Sequence, residues 1–298
     1  MSEPITVVGQ LARDLVLVLD GDLPPTGSSG RVRERREQLG GKGANQAVAL
    51  AQLGARPLLV AVAGDDAAGD ALLAQARTDG IDVSAVVRRA GVPTGLIVEL
   101  LRERNRWRYL EHLPDEVQLS AADIAAADRA FAGAAAVLVQ LQQPEAAALA
   151  AARRARDAGA LVVLDGAPPP AIRAEILALA DVVRADAQET RLLTGKPGDD
   201  PAAALALLER GPRVVALAFD EGNRFAWRGP GPDTETLTLP LGDTAVVDTT
   251  GGGDAFIAAL TVALLRGDPV PEAARLAVAA SGATVGHVSG RPDLRGLA

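Results

Sequence analysis

The stretch AVLVQLQQPEAAALAAARRARDAGALVVLD, Ala136 to Asp165, decides the fold class. It opens and closes on short Val/Leu-rich runs that show no alternation of polar and apolar residues. Strands of that kind are covered on both faces. The segment between them, PEAAALAAARRARDAG, carries alanines at helical spacing. A helix joining two such strands is the crossover that a parallel pair requires. The same alternation runs along the chain in ITVVG (5–9), ANQAVALAQLG (44–54), RPLLVAVAG (56–64), DVVRA (181–185) and RVVALAF (213–219). It predicts a three-layer α/β/α sandwich around a mostly parallel, doubly wound sheet. With 298 residues, 48% of them hydrophobic, the chain can bury one large core, so residues 1–298 are expected to form a single domain.

Two charged stretches interrupt this pattern: RVRERREQ (31–38) and TGLIVELLRERNRWRYLEHL (94–113). The second reads as two strands joined near Arg104-Asn105. Neither has the continuous apolar character of a central strand, so both are expected in a small sheet projecting from the core. From the residues alone that sheet is either an exposed hairpin or a substrate lid.

Composition narrows the chemistry. The chain has no cysteine, which excludes disulfides, thiolate catalysis and Cys-based zinc sites, and its two histidines, His112 and His287, are too few for His-rich metal chemistry. A net charge of −8 argues against nonspecific nucleic-acid binding, which needs a cationic surface. No apolar run reaches 18 residues, and the N-terminus lacks the basic and apolar regions of a secretory signal. A cytoplasmic protein without a membrane partner is expected.

Three loops carry the candidate chemistry. In DTTGGGDAFIAAL (248–260), Gly251, Gly252 and Gly253 precede Asp254, and Ile257, Leu260 and Leu264 then recur at helical steps until Gly267. The free N–H groups of a helix start attract an anion, and glycines let a phosphate approach them. Asp254 either complements the helix dipole or acts as a base that deprotonates an alcohol attacking a phosphoryl group. The second loop, LGGKGANQAVAL (39–50), leads into a helix whose stripe is Ala44, Ala47, Val48 and Ala51. There Lys42 and Asn45 offer donors to hydroxyls or phosphate oxygens. Neither Gly41-Lys42 nor Gly195-Lys196 is followed by Ser or Thr, so there is no P-loop, and no GxGxxG follows the first strand. In the third loop, ADAQETRLL (185–193), Asp186 and Glu189 form either a capping box or a water-mediated Mg²⁺ site.

Taken together, these loops resemble the ribokinase-like, or PfkB, carbohydrate kinase family. GGKGANQAVA (40–49) is similar to the ribokinase form of its N-terminal signature and DTTGGGDAF (248–256) to its C-terminal signature, about 200 residues apart. The resemblance spans nearly the whole chain. It implies a ribokinase-like sandwich with a small β-sheet lid from about 12–38 and 94–113, a homodimer formed through that lid, and ATP-dependent transfer to a primary hydroxyl of a pentose such as ribose. By the same carry-over Asp254 is the base, with Gly251, Gly252 and Gly253 as the anion hole. Asp14, Gly41, Lys42, Asn45 and Gln142 face the sugar, while Asp186, Glu189 and Gly222 serve the nucleotide, the first two through Mg²⁺. Asp248 and Thr250 resemble carbonyl ligands of K⁺, completed near Val288 to Gly290.

Several positions depart from the family pattern. Ala12 stands where Asn is usual, Gln142 where Glu is usual, and Asp186 where the magnesium motif begins with Asn. LAFDEG (217–222) replaces a Thr-x-Gly nucleotide loop, and Asp220 and Glu221 would oppose ATP unless they point to solvent. Missing hydrogen-bond partners shift preference among hydroxylated substrates, so a nucleoside, a ketohexose or a deoxy-sugar acid is an alternative acceptor. A noncatalytic sugar or nucleotide sensor is the reading from a different class. Trp107 and His112 are either ordinary sheet packing or a stacking surface for the sugar, His287 is read as structural, and Arg106 and Arg108 as a solvated strand face.

Overall fold

The computed structural model describes residues 3–102, 106–229, 233–242, 244–286, 288 and 290–297. The expected turn at Arg104-Asn105, His287 and Ser289 of the 288–290 loop lie outside the described residues. In chain order the strands of the first half are β1 (Pro4–Val8), β2 (Ala12–Leu19), β3 (Val32–Gly40), β4 (Arg56–Val60), β5 (Val62–Gly64), β6 (Val87–Arg89), β7 (Leu96–Arg102) and β8 (Arg106–His112). They are followed by β9 (Ala136–Gln140), β10 (Leu161–Asp165), β11 (Val182–Ala185), β12 (Val214–Phe219), β13 (Gly222–Arg228) and β14 (Thr234–Pro240). The helices are α1 (Lys42–Gln52), α2 (Ala67–Thr78), α3 (Ala121–Ala126), α4 (Asp128–Phe131), α5 (Glu145–Asp157), α6 (Arg173–Leu179), α7 (Ala187–Thr194), α8 (Pro201–Leu208), α9 (Gly252–Arg266) and α10 (Val270–Val285).

The main sheet runs β14-β13-β12-β11-β10-β9-β1-β4. Its strands from β4 through β12 pair in parallel, and β13 and β14 close one edge as an antiparallel hairpin meander. The opening stretch of the sequence is β9, α5 and β10 of this sheet. Residues alternate between its faces as the pleat demands. Leu138 and Val163 join the core that packs α1, α9 and α10, whereas Val137, Val139, Val162 and Leu164 join the core under α5. The alanines of α5 that cover this second face, Ala147, Ala148, Ala151, Ala152 and Ala155, are buried. Small side chains let that helix lie close to the sheet, giving the three expected layers.

The charged stretches supply three of the four strands of a separate sheet, ordered β3-β2-β7-β8. Register defines its two faces. Asp14 is level with Ile97, which pairs Glu111, and Val16 is level with Glu99, which pairs Tyr109. These side chains share one face. Leu15, Val98 and Leu110 share the other. Parallel α/β sheets bind ligands outside the carboxyl ends of their strands. Here residues at or just past those ends, Gln10, Gln142 and Arg184, line the space beneath the small sheet, with Asp165 buried behind them.

Candidate active site

A cavity of about 530 Å³ lies between the two sheets. Its wall includes most of the residues singled out in the sequence: Asp14, Gly41, Lys42, Asn45, Gln142, Asp186, Thr250, Gly251, Gly253 and Asp254. Two loops far apart in sequence meet here because α1 and α9 pack side by side with their N-termini at the same end. The others stand behind the wall. Gly252 turns toward α10, where a Cβ would lie 2.7 Å from Val285 Cγ1. Asp248 is fully buried, and Glu189 sits against Gly166. Gly222 is apart from this cavity, packed in the β12–β13 turn against Leu239 and the Phe219 ring. Asp220 and Glu221 in that turn are exposed.

Asp254 occupies the first turn of α9. It is 5% exposed and receives Gln46 Nε2 at 3.2 Å and Asn45 Nδ2 at 3.4 Å. Burial raises its pKa, Lys42 and Arg184 pull it down, Asp165 pushes it up, and the balance leaves it at about 6. That value suits a base working near neutral pH. Gly251 begins the helix in the left-handed region, φ 73°, with the Gly290 carbonyl packed against its Cα, so a side chain has no room there.

An amide relay supports the acid. Gln46 Nε2 also donates to Asp165 Oδ2 at 2.9 Å, and Arg184 Nη1 donates to Asp165 Oδ1 at 3.0 Å. Lys42 is pulled down by burial, but Asp254 and Asp165 outweigh that and raise its pKa, so its ammonium stays charged. Asp14 Oδ1, Asn45 Oδ1 and Gln46 Oε1 are buried without a hydrogen-bond partner among the described residues. Buried acceptors are normally satisfied. The first two lie in wall residues and suit the hydroxyls of a bound molecule.

The capping box at α7 is real: Glu189 N donates to Asp186 Oδ1 and Asp186 N to Glu189 Oε2, both at 2.8 Å. Each acid thus keeps a second oxygen that no hydrogen bond among the described residues engages. Burial and then Asp165 raise the pKa of Glu189 against the pull of Arg184.

The small sheet was expected as a lid contributing Asp14, but sequence reasoning did not single out Glu99, Tyr109 or Glu111. Glu99, Trp107, Tyr109 and Glu111 all line the cavity. Tyr109 Oη hydrogen-bonds Thr250 Oγ1, and that hydroxyl also reaches Glu99 Oε1 at 3.4 Å. Burial, then Asp248 and Asp14, push Glu99 up to about 8, and burial with Asp254 pushes Asp14 up to about 7. Trp107, for which packing and stacking were both open, stands in the cavity wall, its ring centroid 4.7 Å from that of Tyr109. The signal was the period-2 spacing of Trp107, Tyr109 and Glu111, while Arg108 on the opposite face is exposed as expected.

The family model described as pfkB family carbohydrate kinase matches residues 2–295. The ribokinase of Mus musculus is 29% identical over 261 residues, covering 86% of this chain and 80% of that protein. The ribokinase of Haemophilus influenzae is 27% identical over 310 residues, covering 96% and 93%. Among solved structures, Arabidopsis thaliana ribokinase complexed with ribose and ATP superposes with a TM-score of 0.80 at 27% identity, over 98% of this chain and 96% of that one. A family match over nearly the whole chain, joined to a buried acid at a glycine-led helix start, gives the conclusion: this chain belongs to the pfkB family of carbohydrate kinases and phosphorylates a sugar hydroxyl.

Proposed function

We propose that the protein transfers the γ-phosphoryl group of ATP to a primary hydroxyl of ribose or a similar pentose, with Asp254 as general base. The observation that carries this reading is the buried Asp254 carboxylate, held by Gln46 and Asn45 beside the amides of Gly251–Gly253 and opening on the cavity. In the reaction the acceptor oxygen forms its bond to phosphorus as the bond to the ADP oxygen breaks. Its proton passes to Asp254, and charge on the transferred group is met by main-chain N–H groups of the α9 start. Asp14, Lys42 and Asn45 orient the sugar, with Gln142 at the edge. The small sheet acts as a lid, and its bonds to Thr250 exclude water that would compete as acceptor.

Asp186 and Glu189 suit Mg²⁺ held through water. Each has one oxygen to spare, and among the described residues no group of three or more acids or histidines makes a closed cage, so the ion would arrive with the nucleotide. Bound there, it would neutralise phosphate charge. The main-chain carbonyls of Asp248 and Thr250, near Gly290, are the proposed K⁺ ligands.

A nucleoside is the second reading for the acceptor, favoured by the Trp107–Tyr109 pair on the lid face, which can stack on a base. A sugar acid is disfavoured, because the carboxyl groups of Asp14, Glu99 and Glu111 crowd that end of the cavity. An ADP-release assay over ribose, other pentoses, ketohexoses, sugar acids and nucleosides tests the proposal. Ribose is expected to give the highest kcat/KM. Preference for a nucleoside would replace the pentose assignment, and ligand-induced thermal stabilisation with no ADP release would make the protein a sensor.

A further inference from the structure

We propose that Arg184 is a further catalytic residue, the cation that meets the transferring phosphoryl group in this site. The inference rests on the kinase reading but not on the identity of the acceptor. Arg184 is an anomaly in its strand: Val182, Val183 and Ala185 of β11 are all buried in the core. Placing a guanidinium at the end of such a strand is costly unless it is paired and used.

Its one hydrogen-bond partner among the described residues is Asp165, with side chains 11% and 2% exposed. That bond occupies a single N–H of the five an arginine carries. The rest of the guanidinium faces the cavity, whose wall it forms. It also lies flat against the start of α9. A Cβ on Gly253 would stand 2.5, 2.7 and 2.8 Å from its Nη2, Nη1 and Cζ, so residue 253 must be glycine for Arg184 to sit where it does.

The charge arrangement gives the position its meaning. A helix N-terminus repels a cation, so Arg184 lies on the wrong side of the α9 dipole for a purely structural residue. The two fit together around a shared anion, with amides on one side and guanidinium on the other. The buried guanidinium is paired with Asp165, whose Oδ1 accepts from Nη1 at 3.0 Å. Asp165 also fixes the guanidinium and, through Gln46, ties it to the base Asp254. A donor held this way reaches the equatorial oxygens of the phosphoryl group as the acceptor O–P bond forms, the P–O bond to the nucleoside diphosphate breaks, and the acceptor proton moves to Asp254. Little reorganisation is then needed at the moment of transfer.

The rival explanation is that Arg184 only neutralises Asp165. Steady-state kinetics on the full-length protein, with whichever acceptor the wild type turns over, separates the two for Arg184→Gln, Arg184→Lys and the double variant Arg184→Gln/Asp165→Asn. Contact with the phosphoryl group predicts a kcat about 10²–10³-fold lower in Arg184→Gln, acceptor KM within about threefold, and partial recovery in Arg184→Lys. The double variant, which leaves no unpaired buried charge and carries the test if Arg184→Gln does not fold, is expected to stay as slow. Wild-type kcat in the double variant, or in folded Arg184→Gln, overturns the proposal. A wild type inert toward every acceptor overturns the kinase reading itself, and this inference with it.

Discussion

Asp254 is an acid whose surroundings have been arranged around its ionisation. Burial works against the charged form, while Lys42, Arg184 and the Gln46 amide favour it, and the result is a pKa of about 6. A base must be deprotonated to act. The kcat/KM profile is therefore expected to fall about tenfold per pH unit below about 6 and to level off above it. A profile that is flat down to pH 5 would be inconsistent with Asp254 as base. The sequence made Asp254 legible because three glycines ahead of an acid at a helix start have few uses. Arg184 was equally visible, as the one charged residue of β11 (Val182–Ala185), but its meaning depended on Gly253 and Asp165, which come from other elements. The relay through Gln46 was invisible for the same reason, since it joins residues 119 and 208 positions apart.

Among the elements, α9 and α7 were readable from their first turns. α9 starts at Gly252, two residues before Asp254, and α7 shows the capping box expected of Asp186 and Glu189. The small sheet was harder, because its charged strands could have been a solvated hairpin. Only their pairing reveals that Glu99, Tyr109 and Glu111 share a face with Asp14. That face is latched to the α9 loop by the Tyr109–Thr250 hydrogen bond. Tyr109→Phe removes the latch and little else. It is expected to raise the acceptor KM about three- to tenfold, matching the loss of about 0.5–1.5 kcal/mol of one hydrogen bond, with a smaller change in kcat. An unchanged KM would mean that the bond contributes nothing to closure.

At the scale of the whole molecule, the alternation of apolar runs and alanine-rich helices was enough for the layered sandwich, since each pattern has one way to bury its apolar surface. No helix among the described residues is long and apolar enough to cross a membrane. Assembly was legible only through family resemblance, but the structure supplies a surface that favours it. On the lid face away from the cavity, Leu15, Leu17, Val98 and Leu100 are only partly buried, and Leu110 is 60% exposed. We propose that this contiguous aliphatic face on the small sheet seats a second copy of the chain. On that proposal the wild type elutes as a dimer and Leu110→Glu as a monomer in light-scattering chromatography. A wild type that already elutes as a monomer at micromolar concentration would remove the lid-mediated dimer.

Proton transfer to residue 254 is the central step of the proposed mechanism. Its most direct test is kcat of Asp254→Asn beside the wild type, under saturating sugar and nucleotide, with thermal melting to establish that the variant is folded. A fall of about 10²–10⁴-fold at an unchanged melting temperature is predicted. A folded variant that turns over within about threefold of the wild type would contradict the mechanism.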